Sequence, residues 1–431
     1  MTFTPPPRLR LPSPLQTFSL ARDPLRFLVA AQQRHGDCFL ARIWPVGELL
    51  FVADPSQAER FLLDDQRYHA GMATRVVLPI LGTHSILTLD GEAHRQRRQR
   101  LLPLFSARAL EGHADWLAAL AAAEVAQWRD GPLRALPRMR RLAFRVACRL
   151  VLGVEDTATV AALEKRMRGL VGGPAALASW SSSRIVSAPY LHRRAALDEL
   201  LLDVIKTRPK RTRDTALDLL LDDPSLREPS ALLEELRALL IVGHETSACA
   251  MAWALERLAW HPQIAERLHD QLADDDERYL DAVVRESLRT RPPVIDAVRT
   301  ATDETEICGH SVPAGTILVA ALLLIHRQPD TYPDPDAFDP ERFLETSPAT
   351  AAYIPFGAGK RRCLGAPLAT REIATVIREA VEHAVIRPRR DRPERQRLLG
   401  TAVAPARGAE LLIECRARPL ALRQPPMRDE R

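Results

Sequence analysis

Apolar residues recur three and four positions apart over most of this chain, a spacing that predicts helices. Asp23–His35 reads as an amphipathic helix that ends near Gly36. Two apolar runs, Cys38–Ile43 and Leu49–Ala53, flank a turn with Pro45 and Gly47 and predict a β-hairpin. A helix follows from about Pro55 to Leu63, and the stretch 73–87, with Pro79 and Gly82, reads as a loop. Helical pattern then runs from about Glu92 to Lys206, with breaks at 102–107, 130–137 and 171–188. Gly172-Gly173-Pro174 and Ser181-Ser182-Ser183 mark the last break as a connection. A long helix is predicted for Pro229–Trp260, a second to about Leu272 and a third over 277–290. Short strands surround Pro313-Ala314-Gly315, residues 327–345 are Pro- and Asp-rich and irregular, and Leu368, Ile373, Val376, Ile377 and Ala380 predict a final helix.

A length of 431 residues is compatible with two or three domains. No Gly/Ser linker, internal repeat or low-complexity block divides the chain, and 46% hydrophobic residues suffice for one large core. The expectation is one mainly α domain with a small β portion over 22–420, led by a Pro-rich segment 1–21 and followed by a tail 421–431. The six cysteines lack paired spacing, which argues against a disulfide framework or zinc site and for a reducing compartment. Pro5-Pro6-Pro7 with nearby charges resembles neither a signal peptide nor a transmembrane segment, so a soluble, cytoplasmic protein is expected. Net charge is +5, but no basic patch is interleaved with aromatics, so nucleic acid is not an expected partner. A basic face for an acidic partner stays open.

The strongest chemical signal is the run from Phe356 to Gly365, Phe-Gly-Ala-Gly-Lys-Arg-Arg-Cys-Leu-Gly. Cys363 stands at the start of the final helix, where the positive dipole end and free N–H groups favour a thiolate. Gly359 and Gly365 let the backbone approach something flat and bulky. A thiolate held so suits a haem iron that cleaves O–O bonds; a buried structural thiol explains the cysteine but not the glycines, Phe356 or the cations. The pattern Phe-x-x-Gly-x-Arg-x-Cys-x-Gly resembles the haem-binding loop of the cytochrome P450 family.

The long helix carries Val242-Gly243-His244-Glu245-Thr246-Ser247 in an apolar setting. Glycine costs about 1 kcal/mol in mid-helix, and such violations mark functional sites. Read from residues alone, a kink with a solvated Glu245 is the other explanation. The segment resembles the distal oxygen-binding stretch of the same family. The resemblance implies that Thr246 stabilises oxygen and guides protons, with Glu245 as relay acid and Gly243 beside the haem. Val242 stands where the family usually has Ala or Gly, adding bulk near the oxygen pocket.

Glu286 and Arg289, three apart, share a helix face and can pair, either exposed or buried. The resemblance implies a buried structural pair completed by Arg342 of Pro340-Glu341-Arg342-Phe343. His94 and Arg98 also share a helix face, which is either a solvated basic surface or, by resemblance, a hold on haem propionates with Arg299 and Arg361. Arg95, Arg97, Arg100, Lys360 and Arg362 are then candidates for a docking face toward an acidic electron donor.

The resemblance covers about residues 22–412 with four motifs in family order. It implies the single-domain cytochrome P450 fold and haem b (iron protoporphyrin IX), with Cys363 as the metal ligand. It also implies a monomeric monooxygenase that inserts one atom of O2 into a hydrophobic small molecule by hydroxylation or epoxidation, in secondary metabolism. Electrons would come from a ferredoxin or flavodoxin and an NAD(P)H-dependent reductase. A haem-thiolate isomerase or dehydratase, a peroxide-driven enzyme and a non-catalytic helper of the same fold are the alternatives. Substrate would meet residues 75–87, the 170–190 connection, Val242, Val294, Ile295, Asp296 and a turn near Leu399–Val403. These stretches are largely apolar. Asp296 is the exception, a turn aspartate or a partner for a cationic substrate group.

Overall fold

Aspartate followed by proline starts two of the first helices. Asp23 and Asp54 accept hydrogen bonds from the backbone N–H groups of Arg26 (3.2 Å) and Gln57 (2.8 Å). Pro24 and Pro55 fill first-turn positions where the missing N–H is not needed. The helices so capped, Pro24–His35 and Pro55–Leu63, bracket the predicted hairpin. A computed structural model describes residues 5–74, 78–171, 188–208, 214–274, 276–345, 348–400 and 402–416. The expected tail 421–431 and nearly all of the expected break at 171–188 lie outside the described residues.

The strands in chain order begin with β1 (Cys38–Ile43), β2 (Gly47–Val52), β3 (Tyr68–His69) and β4 (Gly131–Arg134). Then come β5 (Asp296–Ala301), β6 (Thr305–Ile307), β7 (His310–Val312) and β8 (Ile317–Ala321). The last four are β9 (Ala384–Pro388), β10 (Gln396–Leu399), β11 (Ala402–Pro405) and β12 (Glu410–Cys415). The main sheet runs β1-β2-β8-β5-β3, with β2 and β8 parallel and the other pairs antiparallel. The hairpin register runs from Cys38↔Val52 to Ile43↔Gly47, so β2 starts two residues earlier than the apolar run suggests.

Helices form the rest of the body. Pro229–Trp260 crosses the middle and packs on Ala135–Ala147, Arg278–Thr290 and Ala366–His383. Its Ala248–Ala259 half is buried in one apolar cluster with Ile373, Val376 and Ile377 of the last helix. It is also long and apolar enough to cross a membrane by length and composition, but two thirds of the qualifying stretch (67%) is buried by the surrounding fold. Its apolar character therefore reflects a central position in the core.

Four local readings change. Ser13–Arg22, within the expected Pro-rich lead, is a helix whose Leu20 joins the core and whose Gln16 accepts a hydrogen bond from Arg42 N (2.8 Å). Leu78–Leu81 adds a helical turn to the expected loop. The break at 130–137 is narrower: β4 ends at Arg134 and a helix starts at Ala135, because Pro137 in its first turn does not oppose helix. Arg342–Glu345 is a short helix inside the irregular region.

Candidate active site

The Cys363 loop is held by its own backbone. Cys363 N–H donates to Phe356 O at 2.9 Å, and Gly357 N–H donates to Ile354 O at 2.9 Å. Phe356 packs against the main apolar cluster. Gly359 has φ +67°, and a Cβ there would lie 2.4 Å from Leu62 O. Its glycine therefore answers a turn and a close backbone neighbour. Gly365 precedes the helix Ala366–His383 and sits near the Phe105 ring, 3.6 Å from a Cβ built there.

Cys363 is accessible yet closely surrounded by protein, so it lies on the wall of a recess. Burial pushes its thiol up, while the N–H groups of Gly365 and Ala366 and the guanidinium groups of Arg98 and Arg362 pull it down. Burial wins, so the thiol alone is protonated at neutral pH; a bound metal ion reverses that balance.

Beside the loop, positive charge exceeds negative. Arg361 pairs with Asp90 and donates to the carbonyls of Ile86 (3.3 Å) and Leu89. Buried Arg299 donates to Val298 O (2.9 Å) and Leu62 O (3.3 Å), and its Nε has no partner. Burial and then Arg361 push Arg299 down to about 10. Burial, then Arg361 and Arg98, push buried His94 down to about 4 in the chain alone. Arg98, Arg299, Arg361 and Lys360 around two carboxylates, Asp90 and Asp65, together with an orphaned Nε, make a site short of anions, which fits a dianionic ligand such as the two propionates of haem. With an accessible thiol near Arg98, the residues present fit haem b.

The predicted docking cations separate. Arg97 is buried, bonded to Asp223 (3.0 Å) and Glu235 (2.6 Å), and so is part of the core. Arg95 pairs with Glu92, Arg100 with Asp223 (3.4 Å) and Lys360 with Asp65 (2.8 Å), whereas Arg362 is exposed.

On the central helix, Thr246 Oγ1 donates to Val242 O at 2.8 Å without interrupting the helix. Gly243 is exposed, and a Cβ there would meet only Ala147 Cβ at 3.9 Å. Val242 is half-buried. Glu245 is not a solvated acid: Arg140 Nε lies 3.1 and 3.0 Å from its two oxygens, and Nη2 adds a third contact. Nothing in the sequence distinguishes Arg140 from Arg138 and Arg141 beside it. Glu372 was also missed; both its oxygens are buried without a hydrogen bond, and Ser247 is its polar neighbour. An acid one turn after Leu368 and one before Val376, on the apolar face, was the available signal.

Glu286, Arg289 and Arg342 do come together. Arg289 meets both Glu286 oxygens at 2.7 Å and donates to His326 O, Pro335 O and Ala337 O, each at 2.9 Å. All five of its N–H groups are thus used. Arg342 Nε lies 3.4 Å from Glu286, and Asp339 N–H donates to Glu286 at 2.8 Å. Ile295, expected at substrate, is buried in the apolar cluster with Phe39, Leu323 and Val403. Val294 is half-buried and Asp296 accessible. Val76 and Val77 lie outside the described residues.

A helical body with a small sheet portion, a cysteine on a recess wall and a cation cluster beside it define a haem-thiolate protein. The cytochrome P450 family model matches residues 5–411. The chain is 33% identical over 429 residues to the protein named cytochrome P450 135B1 of Mycobacterium tuberculosis, covering 95% of this chain and 91% of that one. It is 31% identical over 424 residues to the protein named 135A1 of the same species, with the same coverage. Cyanobacterial CYP120A1 bound to retinoic acid superposes with a TM-score of 0.82 at 25% identity, over 96% of this chain and all (100%) of that one. The haem domain of a cytochrome P450DA mutant has the same fold, with a TM-score of 0.80 at 22% identity over 96% and 98% of the two chains. This chain belongs to the cytochrome P450 family, and haem b is its cofactor.

Proposed function

We propose that this chain is a monooxygenase that inserts one atom of O2 into a hydrophobic small molecule by hydroxylation or epoxidation, in secondary metabolism. It acts as a cytoplasmic monomer supplied by a ferredoxin or flavodoxin and an NAD(P)H-dependent reductase. Bound haem supplies the activation of oxygen. Cys363 would hold the iron, and Arg98, Arg299, Arg361 and His94 would hold the propionates. Thr246 offers a hydroxyl one helical turn from the Val242 carbonyl, and Glu245 beside it holds a carboxylate oriented by Arg140. Protons reach the reacting centre through Glu245 and the Thr246 hydroxyl.

The observation that carries this reading is the Glu245-Thr246 pair on the helix that crosses the core, retained with an intact Cys363 loop. Retinoic acid in CYP120A1, a hydrophobic skeleton with one carboxylate, supports a largely hydrophobic ligand for the same fold. The test is substrate turnover by the holoprotein with NADPH, ferredoxin and ferredoxin reductase, set against hydrogen peroxide alone. Turnover that requires the reduced ferredoxin system is expected; turnover with peroxide alone contradicts it.

A further inference from the structure

Two cysteines far apart in the sequence meet at the edge of the main sheet. Cys38 opens β1 opposite Val52, and Ala53 N–H donates to Asp37 O at 2.7 Å. The helix Pro55–Leu63 starts just beyond, and its Gln57 Oε1 accepts a hydrogen bond from Cys308 N–H at 3.2 Å. Cys38 and Cys308 share one apolar cluster with Val52, Phe61, Ile307 and Val312, and their side chains hydrogen-bond each other. Cys38 is buried there, whereas Cys308 is only half-buried.

Cys308 is also out of place locally. Ile307 pairs with His310, so Cys308 and Gly309 alone make the β6–β7 turn, with φ +52° and +75°. Such a turn ordinarily takes Asn-Gly, Asp-Gly or Gly-Gly, because most side chains are strained at positive φ. Packing does not call for sulfur at this corner, since glycine would close it without strain. A cysteine that breaks the local preference fits a chemical role.

The contact divides the two thiols by role. Their shared hydrogen bond holds the Cys38 thiol up, as donor, and pulls the Cys308 thiol down, as acceptor. The half-buried sulfur is thus the better nucleophile, and the buried one stands behind it as the resolving thiol.

We propose that Cys38 and Cys308 form a redox modification site that closes to a reversible disulfide. The oxidant is a small-molecule disulfide such as glutathione disulfide. Cys308 loses its proton and attacks one glutathione sulfur, the glutathione S–S bond breaks, and one glutathione thiolate leaves. Cys38 then loses its proton, attacks the Cys308 sulfur and expels the second glutathione thiolate. Two protein thiols are oxidised, one glutathione disulfide is reduced to two thiols, and the two protons end on the leaving thiolates. The new bond fastens the β6–β7 hairpin to β1, the end strand of the main sheet. In a reducing compartment it forms only under oxidative load, as a sensor and not as a framework.

The test uses the haem-loaded protein, equilibrated at rising ratios of glutathione disulfide to glutathione. Remaining thiols are blocked with N-ethylmaleimide, and the chain is digested with trypsin. Peptides 35–42 and 300–327 each hold one cysteine. They are expected as a linked pair, about 2 Da lighter than their sum, that dithiothreitol separates. Cys308→Ala is expected to abolish the pair, and Cys38→Ala to leave glutathione trapped on Cys308. A pair absent from the wild type at every ratio overturns the proposal, as does glutathione on wild-type Cys308 without a link to Cys38. The wild-type digest decides by itself, so a variant that fails to fold does not shield the proposal. It reads no catalysis, so it stands or falls apart from the monooxygenase reading.

Discussion

Arg140 and Glu245 meet across two packed helices, with one guanidinium nitrogen 3.1 and 3.0 Å from the two carboxylate oxygens. The acid next to Thr246 is thus held in a fixed orientation. Replacing Glu245 by Gln keeps the shape and removes the proton-carrying group. We expect kcat to fall by about 10²–10⁴-fold with substrate affinity unchanged. Arg140→Leu leaves the carboxylate but releases it, so its loss is smaller, and the double variant is no worse than Glu245→Gln. Additive losses would show that the two residues act independently.

Arg289 and Glu286 are both completely buried. A hydrogen-bonded route leads from them toward the cysteine loop. Arg289 donates to His326 O, Ile354 N–H donates to His326 Nε2 at 3.0 Å, and Gly357 N–H donates to Ile354 O. Removing one partner leaves a buried charge unpaired, at a cost of about 3–5 kcal/mol. Glu286→Gln is expected to lower stability toward urea by that amount and to reduce haem content after purification. Full haem content with unchanged stability would contradict the structural role.

His326 predicts the acid limb of stability. Burial, then Arg289, pushes its imidazole from 6.5 down to about 3, and it accepts from Ile354 as the neutral form. Between those values the unfolded chain binds a proton that the native state refuses. Stability therefore falls as pH drops below about 6.5, by up to about 1.4 kcal/mol per pH unit from this group. Denaturation midpoints measured across that range should fall less steeply for His326→Gln, whose amide oxygen can still accept from Ile354.

Glu372 has the opposite sign. Burial pushes its carboxyl from 4.5 up to about 8, so the native state retains a proton that the unfolded chain loses. Its stabilising effect is complete below 4.5 and is lost as pH rises to about 8. Glu372→Gln should flatten the alkaline side of the stability profile, and an unchanged slope there would mean that the carboxyl is already ionised.

Local chemistry explains what was legible in the sequence. The Cys363 loop packs its signal into ten consecutive residues, and the long apolar helix and the Glu286–Arg289 spacing are properties of single elements. Tertiary partners leave no such mark. Arg140 resembles its neighbours until the fold sets it against Glu245, and Arg97 looks like a surface cation until Asp223 and Glu235 enclose it. Gly359 likewise gives no hint of its tertiary neighbour, because the nearby Leu62 carbonyl comes from a distant part of the chain. His94 shows a further gap: residue type and helix face say nothing of the burial and neighbouring guanidinium groups that push its imidazole down to about 4.

The central claim is that Cys363 is the thiolate ligand of haem iron. It is tested most directly by the absorption spectrum of the reduced carbon monoxide complex in wild type and in Cys363→Ser. The wild type should show the thiolate band at about 450 nm, and Cys363→Ser should lose it while keeping the far-ultraviolet circular dichroism of a helical protein. A band that survives in a folded Cys363→Ser protein would contradict the assignment.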